Sequence, residues 1–364
     1  MNVIFFVTNL DSGGIENYLL RFLEFKSSKF KNITVFCKGG RAGELLNNYQ
    51  NLPNVDIHLK YVSYFKLQDY LYIYRFLKKN KFHSVCDFTG NFSGLILFCA
   101  KKAGIKKRVV FYRGATDHFQ KTIIKSTYNR FVKSMTLYYA TDILSNSKAA
   151  FKYFFTQNQK DQRFEVIYNG IDKSKFNVGD KNLKNSFFIP ENAYVIGHVG
   201  RYNYSKNHKT ILHVAERLIK KYTNIYFILC GKGVKKNLEL KTIEYGIEKN
   251  VRLFENRTDI PIFLNTMDAF FFPSITEGQP NALIEAMIVG LPFVASNIDS
   301  IKETVFKNSL LLDPNDVEGY VVNLEKLYKK SESRNEFLKE YAIKRFDHKI
   351  KFNEFYNKLV NTIQ

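Results

Sequence analysis

The sequence predicts an α/β protein of two successive domains, each built on a parallel sheet. Three observations carry this prediction. Short apolar runs rich in Val, Ile and Phe alternate with longer helical patterns, the alternation pauses once in a polar stretch closed by a proline, and 364 residues with 45% hydrophobic content suit two cores better than one.

The first series of apolar runs is Val3 to Val7, Ile33 to Phe36, Ser84 to Phe88, Val109 to Tyr112 and Asp142 to Leu144. Strands alternating with helices are the signature of βαβ units, which force parallel pairing. Residues 177–190, rich in Lys and Asn and ending at Pro190, read as a linker. A second series follows: Tyr194 to Val199, Ile225 to Leu229, Val251 to Phe254, Ala269 to Phe272 and Phe293 to Ala295, with Leu310 to Leu312 as a further candidate. From Val317 onward the pattern is helical. The division is therefore 1–176 for an N-terminal domain, 177–190 for the linker, 191–345 for a second domain, and 346–364 for a C-terminal helix expected to pack back on the first.

Composition narrows the function. Cys37, Cys86, Cys99 and Cys230 are widely spaced and form no C-x-x-C pair, so they read as reduced thiols of a cytosolic protein. Met1 to Thr8 has no basic leader and reads as a first strand rather than a signal peptide, and the run Leu95 to Ala100 is far too short to cross a bilayer. A formal charge of +21 creates a field that attracts polyanions. The densest basic block, Lys101 to Lys133, is threaded with Phe119, Ile123, Ile124, Tyr128, Phe131 and Met135. At helical spacing these give an apolar face beside a basic one, which fits either a core face with a solvated back or a surface that docks on anionic lipid. Nucleic acid is not expected, since no helix-turn-helix, zinc-finger or RNP pattern is present.

The most specific motif is Glu277-Gly278-Gln-Pro280-Asn281-Ala282-Leu283-Ile-Glu285. It follows an apolar strand and a Pro-Ser turn, and Pro280 stands where proline commonly opens a helix. Glu277 is then expected in the loop and Glu285 in the second helical turn, while the free N–H groups of Asn281, Ala282 and Leu283 suit a phosphate. A second motif, Gly197-His-Val-Gly200-Arg201-Tyr-Asn-Tyr-Ser-Lys206-Asn207-His208, ends one strand and enters a helix. Gly200 permits close backbone approach, and Arg201 and Lys206 bring fixed positive charge for a diphosphate. Near the start, Asn9-Leu-Asp-Ser-Gly13-Gly14-Ile-Glu16 offers backbone N–H groups to a phosphate or an acceptor. No Asp-x-Asp occurs and the histidines have no ligand spacing, so no metal is expected.

On these motifs the chain resembles the retaining glycosyltransferases of family 4, which have the GT-B fold: two Rossmann-like domains with parallel sheets facing across a cleft. The resemblance extends to Ser145-Asn-Ser147, Val166-Ile-Tyr-Asn169-Gly170-Ile-Asp172, Gly231-Lys-Gly233, the loop 256–259 and Ile301-Lys-Glu303, and so touches nearly the whole chain. It implies that Glu277 approaches the donor sugar and Glu285 holds the nucleotide ribose. It further implies that Arg201 and Lys206 neutralise the departing diphosphate. Gly13, Gly14, Gly200, Gly278, Asn281, Ala282 and Leu283 complete the donor-binding set. Many members carry a histidine where this chain reads Phe111-Tyr-Arg113-Gly114-Ala-Thr-Asp117-His118, so either His118 or Arg113 takes that place. His118 is counted with the catalytic candidates.

The implied activity is metal-independent, retaining transfer of a hexose or N-acetylhexosamine from a nucleotide-diphosphate sugar, UDP before GDP, with no other cofactor. The implied acceptor is a growing glycan on a polyprenyl diphosphate, in O-antigen, capsule or other surface-polysaccharide synthesis, at the cytoplasmic face of an anionic membrane. A sugar-nucleotide 2-epimerase of the same fold and a basic nucleotide- or nucleic-acid-binding protein are the competing readings.

Overall fold

The computed structural model describes residues 1–114, 123–155, 161–331 and 334–361. The chain divides into two units, one of Met1–Gly170 with Lys349–Gln364 and the other of Ile171–His348.

Among the described residues the first unit holds seven strands: β1 Asn2–Val7, β2 Asn32–Cys37, β3 Val55–Leu59, β4 Ser84–Asp87, β5 Lys107–Tyr112, β6 Asp142–Ser145 and β7 Phe164–Val166. They pair in the order β3-β2-β1-β4-β5-β6-β7, every neighbour parallel. Helices cover both faces, which is why β1 reads as an unbroken apolar run: Val3, Phe5 and Val7 enter one core, Ile4 and Phe6 the other. The helix His348–Val360 adds Phe352, Phe355 and Leu359 to the first of these cores, with Phe355 ring to ring against Phe22 at 4.7 Å. Strands β3 and β7 are absent from the sequence reading. Both lie at sheet edges, where half-exposed alternation or a length of three residues leaves no apolar run to detect.

Of the apolar residues threaded through the basic block, Phe119 lies outside the described residues, Tyr128 and Met135 are half-buried and Phe131 is exposed. In the helix Ile123–Tyr139, Val132 and Thr136 are fully buried, and the neighbouring helix Gly94–Lys102 approaches so closely that a Cβ on Gly94 would stand 2.3 Å from the Val132 carbonyl oxygen. Only Phe131 and Tyr138 stay exposed among its large apolar side chains from Tyr128 onward.

The second unit holds β8 Tyr194–Val199, β9 Ile225–Cys230, β10 Val251–Phe254, β11 Ala269–Phe272, β12 Phe293–Ser296 and β13 Leu311–Leu312, ordered β10-β9-β8-β11-β12-β13 and again all parallel. Residues 177–190 pack on this unit. Phe187 is buried against Phe254 at 4.3 Å, and the Asn265 amide donates to the carbonyls of Gly179 and Lys181. A single aromatic anchor and backbone acceptors leave no periodic pattern, so this stretch looks like a linker in the sequence.

Both sheets reverse their strand order at one place, between β1 and β4 in the first unit and between β8 and β11 in the second. Loops leaving the carboxyl ends of strands at such a switch point open a crevice, the usual ligand position of open α/β sheets.

Candidate active site

In the second unit the loops leaving β8 and β11 carry the two leading motifs. The β8 end is closely packed. Gly200 N–H donates to the Cys230 carbonyl at 2.8 Å, a Cβ on Gly200 would lie 2.9 Å from His198 Nε2, and one on Gly231, at φ +155°, would lie 2.2 Å from the Gly200 oxygen. Two glycines are thus required for β8 and β9 to finish side by side.

Asn207 joins this loop to the next. It adopts the left-handed conformation, φ 55° and ψ 44°, which asparagine tolerates better than most residues. Its side-chain amide donates to the carbonyls of Pro273 at 3.1 Å and Pro314 at 2.7 Å, while its Oδ1 accepts from Thr210 at 3.0 Å. Ile275 N–H adds a bond to the Ser205 carbonyl at 2.8 Å. Stitched in this way, the two loops bring Lys206 Nζ to 2.5 Å from Glu277 Oε1. The ammonium also sits 5.0 Å above the Phe272 ring. With side-chain exposures of only 17% and 11%, Lys206 and Glu277 form a poorly hydrated ion pair whose partners act on each other more strongly than surface charges do.

Two histidines lie beneath Lys206. His198 is fully buried, and its Nδ1–H donates to the Phe271 carbonyl at 3.0 Å, leaving Nε2 without a hydrogen-bond partner among the described residues. The rings of His198 and His208 meet edge to face at 5.2 Å. Burial, then the neighbouring His208, pushes the His198 pKa well below the usual histidine range, and burial with Lys206 lowers that of His208 to about 4. Both are neutral at physiological pH, so neither adds positive charge beneath Lys206.

Beyond Glu277, the helix Asn281–Ile288 begins one residue later than the motif suggests, with Pro280 at the cap. Ile284 N–H makes the first helical bond, to the Pro280 carbonyl at 3.1 Å. The amides of Asn281, Ala282 and Leu283 therefore precede the helical ladder, and they concentrate the positive end of the helix dipole beside Gly278. Glu285 lies in the second turn and is buried. Arg201 is exposed and makes no salt bridge among the described residues. The structure thus joins Lys206, Glu277, Gly200 and the helix start, and leaves Arg201 at the solvent edge of the same loop. His198 and the clamping role of Asn207 escape the sequence reading, because a buried ring and a left-handed asparagine have no spacing signature.

In the first unit, Gly13 is the extended cap of the helix Gly14–Lys26, and nothing lies within 4 Å of a Cβ placed on Gly14. Arg113 follows β5. Its guanidinium stacks on Tyr18 at 3.4 Å and donates to Asn169 Oδ1 at 2.6 Å, and burial lowers its pKa to about 10, so it stays charged at neutral pH. Its Nε and Nη1 have no hydrogen-bond partner among the described residues. His118 lies outside the described residues.

Residues 12–175 match the family described as Glycosyltransferase Family 4, and residues 180–345 match Glycosyl transferases group 1. The chain belongs to family 4 of the glycosyltransferases. Among relatives of this glycosyltransferase is the capsular polysaccharide biosynthesis glycosyltransferase CapH of Staphylococcus aureus, 27% identical over 320 residues that make up 85% of each chain. Another is the UDP-Gal:alpha-D-GlcNAc-diphosphoundecaprenol alpha-1,3-galactosyltransferase of Escherichia coli, 26% identical over 328 residues, 85% of this chain and 83% of the relative. The crystal structure of Anabaena Alr3699/HepE in complex with UDP-glucose aligns over 98% of both chains with a TM-score of 0.81 at 18% identity. That of WaaG, a glycosyltransferase involved in lipopolysaccharide biosynthesis, aligns over 99% of this chain and all of its own with a TM-score of 0.74 at 14% identity. At these identities the structural likeness speaks for the fold, and the fold is GT-B.

Proposed function

We propose that this glycosyltransferase moves a hexose or N-acetylhexosamine from a UDP-linked sugar to a growing, lipid-linked oligosaccharide of a surface polysaccharide, with retention of anomeric configuration and without a metal ion. The observation that carries the donor side is the Lys206–Glu277 pair, 2.5 Å apart at the carboxyl ends of adjacent strands and next to a helix start. A diphosphate leaving group gathers negative charge as the sugar–oxygen bond breaks. The Lys206 ammonium, with Arg201 and the amides of Ala282 and Leu283, supplies positive charge where a divalent ion serves in other enzymes. Glu277 orients Lys206 and accepts hydrogen bonds from sugar hydroxyls, and Glu285 anchors the ribose. In a front-face course the departing phosphate oxygen takes the proton of the acceptor hydroxyl, so no side-chain nucleophile is needed. The relatives acting in capsule synthesis and on a diphosphoundecaprenol-linked acceptor support the acceptor class and a membrane-proximal location.

Calorimetric titration of the purified chain with UDP- and GDP-sugars, with and without EDTA, tests this reading. Tight binding of one UDP-sugar that is indifferent to chelator, and a product whose anomeric proton coupling matches the donor, are the expected results. A chelator-sensitive response or an inverted product would overturn the mechanism.

A further inference from the structure

We propose that Arg113 and Asn146, in the first unit, receive the carboxylate and a neighbouring hydroxyl of a uronic acid in the acceptor glycan. This inference rests on the glycan acceptor just proposed and names the chemistry of the sugar that the first unit takes. Arg113 follows β5, Asn146 follows β6 and Asn169 follows β7, so the three side chains share the carboxyl ends of consecutive strands, next to the switch point between β1 and β4. The guanidinium is held from several sides. Its central carbon lies 3.4 Å from the centre of the Tyr18 ring and 5.0 Å from that of Phe111, and Nη2 donates to Asn169 Oδ1 at 2.6 Å. Nε and Nη1 are buried, yet neither meets an acceptor and no carboxylate pairs with the cation among the described residues. Asn146 is 2% exposed, is fixed by its N–H on the Tyr112 carbonyl at 3.2 Å, and has its amide nitrogen 3.5 Å from the Arg113 carbonyl oxygen. Its buried Oδ1 has no donor among the described residues. Buried polar groups are as a rule satisfied, so two unpaired donors and an unpaired acceptor beside one charge mark a place made for a ligand.

The donors and the acceptor specify the ligand. With Asn169 on one Nη2–H, an edge of the guanidinium keeps two parallel N–H groups, the geometry that holds a planar oxyanion by two hydrogen bonds. Burial lowers the Arg113 pKa to about 10, so the charge is retained at neutral pH and calls for an anion. Carboxylates and phosphates both fit that edge, and Asn146 separates them. Its Oδ1 only accepts, so it needs an O–H or N–H on the ligand. The phosphates of a lipid-linked diphosphate carry no such donor at neutral pH, whereas the ring of a hexuronate presents hydroxyls beside its carboxylate. A neutral hexose in the same place would leave the buried cation without a counter-charge. Arg113 thereby decides between a uronic acid and the matching neutral sugar.

Saturation-transfer NMR on the full chain tests this, with UDP present to occupy the second unit. The probes are the methyl glycosides of glucuronate and galacturonate, each against its neutral hexoside, with inorganic phosphate as competitor. One uronate should bind at least about tenfold more tightly than its hexoside. R113M should abolish that preference, and R113K should restore only part of it, because a lysine keeps the charge without the fork. N146A leaves the guanidinium in place and should weaken the same uronate by about threefold or more. Equal binding of uronate and hexoside in both pairs overturns the proposal, as does an unchanged preference in R113M. Should R113M fold poorly, shown by a lowered thermal midpoint, R113K and N146A carry the decision, and a full preference in both overturns it too. Displacement of the uronate by phosphate at equal concentration moves the site to the lipid diphosphate, and an Arg113-dependent preference for UDP-glucuronate over UDP-glucose moves the carboxylate to the donor. Either result overturns the assignment to an acceptor uronic acid. UDP titrations on the same preparations separate the two readings. Uronate preference without UDP binding overturns the proposed donor chemistry and upholds this site, and UDP binding without the preference does the reverse.

Discussion

Replacing His208 with asparagine removes a nearly fully buried imidazole whose pKa burial and Lys206 lower to about 4. In the unfolded chain the same group titrates near about 6.5. Between these values the unfolded state binds a proton that the folded state does not, so folding stability contributed here is complete above the window and is lost as pH falls through it. From about pH 7 down to about pH 4.5 this one group should cost the parent protein about 2.5 kcal/mol of unfolding free energy. His198, shifted the same way, adds to the loss in both proteins. The high net positive charge also destabilises in acid, so the comparison must be between parent and variant rather than between pH values alone. Urea unfolding followed by circular dichroism serves, as the chain has no tryptophan to report by fluorescence. The variant should give up about 2.5 kcal/mol less than the parent over the same interval. Equal losses in the two proteins would mean that His208 is hydrated or already protonated in the folded state, and would refute the neutral histidine pair beneath Lys206.

Three further outcomes are expected. K206A should lower kcat by about a hundredfold or more while leaving the acceptor KM within a factor of about two, because its charge acts on the leaving group; steady-state kinetics would show this, and unchanged turnover would remove Lys206 from the chemistry. N207A frees the buried carbonyl of Pro273 and the half-buried one of Pro314 and should cost about 2–3 kcal/mol in urea unfolding, with a fall in kcat as Lys206 and Glu277 lose register. F355A should destabilise the first unit by about 3–5 kcal/mol, seen as a lower thermal midpoint with UDP-sugar binding preserved.

The second domain's strands and both phosphate-side motifs are legible in the sequence because each is local. A buried parallel strand is an unbroken apolar run, and a strand end followed by glycine and spaced cations makes sense over a dozen residues. Edge strands β3 and β7 are not legible, since their pairing comes from a neighbouring strand rather than from their own side chains. The anchoring of residues 177–190 is hidden for a similar reason: Phe187 has meaning only beside Phe254 and Phe263. Lys206 and Glu277 are 71 residues apart, and both motifs can be named without knowing that they touch.

The amino-acid order by itself determined the two α/β halves, the family, and which residue types stand at the strand ends. Tertiary structure alone decided that Asn207 clamps two loops and that two histidines are held neutral beneath Lys206. Apolar periodicity states that a side chain will be covered, not by what. Burial, pKa and exposure are set by neighbours distant in the chain, which only the folded sheet order brings together.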